Sequence, residues 1–114
     1  MKHQVKITVL RREYYQDLAD LYLENPAVGK CSLFEEGQEF IVDENKYSTF
    51  THSGAFCQAA WDCISEKVYA GLQGGRLFRQ GWSRDPSKLV MCCNDGARPV
   101  VFLLERLDIE DNAQ

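Results

Sequence analysis

Five cysteines and two histidines are the side chains in this sequence best suited to chemistry. Cys31 stands alone, Cys57 and Cys63 are six apart, and Cys92 and Cys93 are adjacent. No Cys-x-x-Cys pair occurs, and the odd count argues against a disulfide framework. The cysteines therefore read as reduced thiols or metal ligands. Ser53 is a candidate helix cap, which would put Cys57 in the first turn of a helix. Free backbone N–H groups and the helix dipole favour a thiolate there. His52 lies five residues earlier and can approach that thiol. Cys31, Cys57 and one of Cys92 or Cys93, with His52 as a fourth, have the ligand types for zinc or iron. Against this, common zinc sites use closely paired ligands, and a free cysteine is often just a small buried hydrophobe. Cys63 falls on an apolar helical stripe and is assigned to the core.

Two adjacent strand residues point to opposite faces, so only one of Cys92 and Cys93 can join a site with Cys57. Asp95 and Arg98 flank the turn that follows. The plain reading is turn chemistry, with the Asp95 side chain bonded to nearby backbone. The functional reading is an anion contact by Arg98 beside the cysteine pair, and a weaker one is an enzyme using Asp95 and Arg98 on a small anionic substrate. No phosphate loop, Ser-His-Asp order or His-Glu-x-x-His run appears. The candidate catalytic set is therefore Cys57, Cys92, Cys93, Asp95 and Arg98, and the candidate metal set is Cys31, Cys57, Cys92 and Cys93.

The elements that must position these residues are legible from periodicity. Gln4–Leu10 alternates, with Val5, Ile7 and Val9 on one face, which is a half-buried strand ended by Arg11 and Arg12. Tyr14–Leu23 reads as a short amphipathic helix with Leu18, Leu21 and Tyr22 on its apolar side, stopped by Asn25-Pro26. Glu39–Val42 reads as a short strand, and Tyr47–Thr51 is β-prone enough to be a return strand. Ala55–Leu72 carries overlapping apolar stripes through Phe56, Ala60, Trp61, Ile64, Val68 and Leu72, so a long helix packed on a sheet is expected, ended by Gly74-Gly75. Lys88–Cys93 and Pro99–Leu107 form a hairpin about Asp95-Gly96. Val100–Leu104 is apolar throughout, which predicts a central strand covered on both faces. The expected fold is α+β: a small, mostly antiparallel sheet with one long helix on a face and the N-terminal strand paired with the C-terminal one.

The chain has 114 residues, a net charge of −4 and 45% hydrophobic residues. That length suits a single domain over 1–114, with 108–114 as an acidic, frayed tail. The acidic balance argues against nucleic acid as the main partner. No run approaches the ~20 apolar residues of a membrane span, and no signal peptide is read at the start, so a cytoplasmic location is expected. Phe78 and Trp82 sit in an irregular segment and are expected to line a pocket or to make a homo-oligomer contact.

Three stretches of the sequence are distinctive. The first is Cys31 followed by Leu33-Phe34-Glu35-Glu36-Gly37-Gln38-Glu39-Phe40-Ile41-Val42. The second runs through Gly54, Phe56, Cys57, Ala60, Trp61 and Ile64. The third, the most specific, is Cys92-Cys93-x-Asp95-Gly96-x-Arg98-Pro99-Val100-x-Phe102. Together with Val5-Lys6-Ile7-Thr8-Val9, they resemble a family of small proteins of unknown function common in anaerobic bacteria, a likeness that spans residues 4 to about 107. This chain departs from the pattern at Ser32, where the family has Pro, at Gln58 or Ala59, where it has Trp, and over Phe78–Trp82, where it has Pro-Trp. His52 and Cys63 lie outside the pattern. The resemblance implies Cys31, Cys57, Cys92 and Cys93 as positions of interest and carries no mechanism. Two readings follow: a cysteine-centred site that binds a metal or acts as a redox thiol, and a non-catalytic domain that binds a small ligand or a partner, with structural cysteines.

Overall fold

The computed structural model describes residues 1–110. Strand β1 (Lys2–Arg12) buries Val5, Ile7 and Val9 completely, as its alternation requires. Helix α1 (Gln16–Tyr22) follows, then β2 (Glu39–Val42), α2 (Gln58–Leu72), β3 (Lys88–Cys92) and β4 (Val100–Ile109). The four strands form one sheet in the order β2-β1-β4-β3, with every pair antiparallel. The fold is thus α+β, and β1 pairs with β4 along almost its whole length.

Register makes one face of the sheet apolar. Val42 and Phe40 of β2, Leu104 and Phe102 of β4, and Leu89 of β3 align with Val5, Ile7 and Val9. Helix α2 crosses that face and seals it with Ala60, Trp61, Ile64, Val68 and Leu72. Each aliphatic side chain so buried contributes about 1.5–3 kcal/mol before entropy is counted. Gly71 permits the close approach, since a Cβ there would lie 2.7 Å from Val5 Cγ2. Aromatic rings fill the end near the α2 N-terminus. Phe34 packs edge-on against Phe102 at 5.4 Å and Phe56 at 5.0 Å.

Several expectations need correction. Helix α2 starts at Gln58 with Cys57 as its cap residue, not after Ser53. Gly54 turns the chain with φ +77, and the Ser53 hydroxyl accepts only the Ala55 N–H, at 3.3 Å. That turn drives Phe56 into the ring cluster before the helix begins. Tyr47–Thr49 is a 3-10 turn and not a return strand. The Tyr47 hydroxyl donates to the Ser65 carbonyl at 3.1 Å, which turns the segment toward α2. Leu18, Leu21 and Tyr22 of α1 are exposed, and only Ala19 is buried. Val100–Leu104 is covered on one face: Val100, Phe102 and Leu104 are buried, whereas Val101 and Leu103 are half-buried. The outer face carries charge instead, with Glu105 bridging Lys6 at 3.7 Å and Lys88 at 3.8 Å. Asp108 and Ile109 belong to β4 rather than to a frayed tail; residues 111–114 of that tail lie outside the described residues.

Candidate functional site

The end of the inner face near the α2 N-terminus is where three cysteine-bearing segments meet. Cys31 sits in the loop after α1, and its carbonyl accepts a hydrogen bond from Arg12 Nη1 at 2.8 Å. Cys57 caps α2 through its backbone, the Cys57 carbonyl accepting the Trp61 N–H at 3.0 Å, while its side chain makes no capping bond. Cys93 follows β3, and its backbone N–H donates to the Val100 carbonyl at 3.0 Å. The Val100 N–H in turn points at Cys93 Sγ, 3.3 Å away.

Register decides the adjacent pair. Cys92 pairs with Val101 on the outer face and is exposed, so Cys93 faces inward beside the buried Val100. Cys31, Cys57 and Cys93 line one cleft of about 130 Å³, with Leu33, Phe34 and Ala60 among its apolar walls. Asp95 and Arg98 stand on its rim. Asp95 Oδ1 accepts the N–H groups of Ala97 at 2.9 Å and Arg98 at 3.1 Å, which is the turn chemistry expected of it. Its other oxygen lies 3.7 Å from Arg98 Nε, a loose pair with a partly exposed guanidinium.

The structure brings together Cys31, Cys57, Cys93, Asp95 and Arg98, and separates Cys92 and His52 from them. His52 is exposed and does not line the cleft. Cys63 is half-buried and packs against the core. Burial pushes its thiol pKa up, and neighbouring Cys93, Cys92, Asp62 and Cys57 add to this, so it stays protonated at neutral pH. Among the described residues no group of three His, Cys, Asp or Glu side chains is placed to hold a metal ion. The donor set thus does not fit a resident zinc or iron centre as the residues stand.

Three larger hollows lie elsewhere, and none of the three is lined by a cysteine. One of about 280 Å³ adjoins His3, Asp43 and Glu44, and one of about 240 Å³ adjoins Phe40 and Phe50. A third of about 520 Å³ lies open between Trp82, Val90 and Leu103. Trp82 therefore lines a hollow, as expected, while Phe78 stacks edge-on with it at 6.0 Å. Periodicity did not point to Arg12 as part of the cleft surroundings, because a bulge in β1 sets its direction and no residue type in the strand announces it. No helix among the described residues is long and apolar enough to cross a membrane. No family model, no curated protein and no solved structure matches the chain.

Proposed function

We propose that the protein works through its thiols, with Cys31, Cys57 and Cys93 as the working set of a small-ligand cleft. The observation that carries this reading is their convergence on one cleft from three distant segments. The chemistry open to such a set is nucleophilic or redox. In the redox form, two cleft thiols and a small-molecule disulfide exchange: one sulfur–sulfur bond forms in the protein, the small disulfide breaks, and its halves leave with the two thiol protons. All five cysteines are free, which suits a reducing, cytoplasmic setting. The resemblance to the anaerobe family supports the same positions, apart from Cys92, which faces away.

A short iodoacetamide pulse at neutral pH, mapped by mass spectrometry, tests the reading. Cys31, Cys57 and Cys93 should be alkylated faster than Cys63. An adduct on one should slow the other two, because all three line one small cleft of about 130 Å³. Labelling of the three at independent rates, none faster than Cys63, would leave them as packing residues.

A second reading, a partner-binding domain, is favoured by a different observation. Trp82 is 59% exposed and Phe78 37%. Arg79 lies over both rings, at 4.7 Å and 5.2 Å. Self-association through this patch, without nucleic acid, is the form this reading takes. A concentration-dependent sedimentation coefficient that Trp82→Ala abolishes would support it, and a strict monomer would remove it.

A further inference from the structure

The sheet order gives β3 a neighbour, β4, on one side and no strand on the other among the described residues. Parity decides which backbone groups stand on that open side. The Ser87 carbonyl accepts the Arg106 N–H at 2.8 Å, and the Cys93 N–H donates to the Val100 carbonyl at 3.0 Å. Residues 87, 89, 91 and 93 therefore bond toward β4, and Lys88, Val90 and Cys92 turn their N–H and C=O groups outward. The Lys88 N–H already donates to the Asp85 carbonyl at 3.0 Å. Val90 and Cys92 are left with both groups open. Sheet edges are usually guarded by charge or proline. The stretch Val90-Met91-Cys92 has neither. Val90 is 56% exposed, Cys92 is exposed and Met91 is half-buried at the rim of the core.

These open groups are complementary to themselves. Set a second copy antiparallel, with the two-fold axis at Met91. Val90 then faces the partner's Cys92, and Cys92 faces the partner's Val90, each pair exchanging N–H···O bonds in both directions. Side chains stay on matching faces: Val90 lies beside the partner's Cys92 outside, and Met91 lies against the partner's Met91 inside. Charge agrees. Arg84 and Lys88 stand at the start of β3, and Asp95, with a half-exposed side chain, stands just past its end. The two-fold sets each cationic end against the partner's Asp95 turn. An unrelated extended peptide would meet the same backbone groups without that match.

We propose that β3 pairs with the β3 of a second copy about Met91, joining the four strands of each copy into one continuous sheet. This goes beyond both readings above, since it uses neither the cleft thiols nor the Phe78–Trp82 rings. The ladder is short, so the dimer is a reversible one.

Val90→Cys tests the register. Opposed residues of a hydrogen-bonded pair have Cα atoms about 5.5 Å apart, within disulfide reach. The two Cys92 residues would lie about 8 Å apart, beyond that reach. Mild diamide should therefore join the introduced thiol to the partner's Cys92. One sulfur–sulfur bond forms, and both thiol protons and two electrons pass to the N=N bond of diamide. The variant should run as a covalent dimer without reductant, whereas the wild type and Val90→Cys combined with Cys92→Ser should run as monomers. In sedimentation the wild type should associate as concentration rises. Val90→Lys, a charge at an exposed edge position, should weaken that association by about tenfold or more. No covalent dimer from Val90→Cys, a covalent dimer from the wild type as well, or an association unchanged by Val90→Lys would each overturn the inference. Association lost in Trp82→Ala but kept in Val90→Lys would assign it to the ring patch instead. A strict monomer would overturn both forms of self-association, and the thiol reading stands in every case.

Discussion

One crossing of the sheet presents the same three residue types on both faces. The outer row runs Arg11, Val101, Cys92, and the inner row runs Arg12, Val100, Cys93. On the outer face the arginine has a carboxylate, the valine is half-buried and the thiol is exposed. On the inner face the guanidinium keeps a buried unpaired nitrogen, the valine is sealed, and the thiol accepts a backbone N–H beside a cleft. Residue type is thus equal and surroundings are not. What separates a candidate site from ordinary surface is which groups are left unsatisfied and enclosed.

The largest way to break this contrast is to remove what encloses the inner row. Phe102 is fully buried, with Phe34 at 5.4 Å and Phe56 at 5.5 Å from its ring. Phe102→Ala should cost about 3–5 kcal/mol in urea unfolding, as large core truncations do. It should also make Cys93 label like Cys92. A loss under ~1 kcal/mol would mean the ring does not support the core behind Phe34.

A smaller effect is expected at the far end of the sheet, where the polar groups are paired. Asp108 accepts from His3 at 2.8 Å and from Arg106 Nε at 2.8 Å, while Arg106 Nη1 also donates to the Gly75 carbonyl past the end of α2, at 2.9 Å. Hydrogen bonds from Arg106 and His3 hold the Asp108 carboxyl below its ordinary range. A lowered folded value means that the stabilisation is present above the unfolded carboxylate pKa and is lost as pH falls through the folded one. The urea midpoints of the wild type and Asp108→Asn should therefore differ at neutral pH and converge on acidification. A gap that is constant with pH would show that the charge contributes nothing.

These particulars show what periodicity carries and what it does not. Alternation located β1, the Asp95-Gly96 turn located the hairpin, and strand parity required Cys92 and Cys93 to part. Which of the two faces inward depends on where β3 pairs with β4, a long-range fact. The Ser53 cap failed because Gly54 and the burial of Phe56 outweighed local propensity. Cys31, Cys57, Asp95 and Arg98 were all singled out by type, but their shared cleft comes from tertiary packing. Arg12 was read only as the end of a strand, since a bulge shifts facing without changing composition.

The smallest effect sharpens the point about facing. Leu10 is the bulge residue, and deleting it keeps Arg11 opposite Val101 and Arg12 opposite Val100. The deletion should leave the labelling rates of Cys31, Cys57 and Cys93 nearly unchanged. A large change in those rates in the deletion variant would mean that the bulge itself shapes the cleft.

Convergence of the three thiols is tested most directly by a short bifunctional alkylating reagent applied to the reduced protein and mapped by mass spectrometry. Bridges should form among Cys31, Cys57 and Cys93, with none to Cys92. Bridges that include Cys92, or single adducts alone at all five cysteines, would contradict the shared cleft.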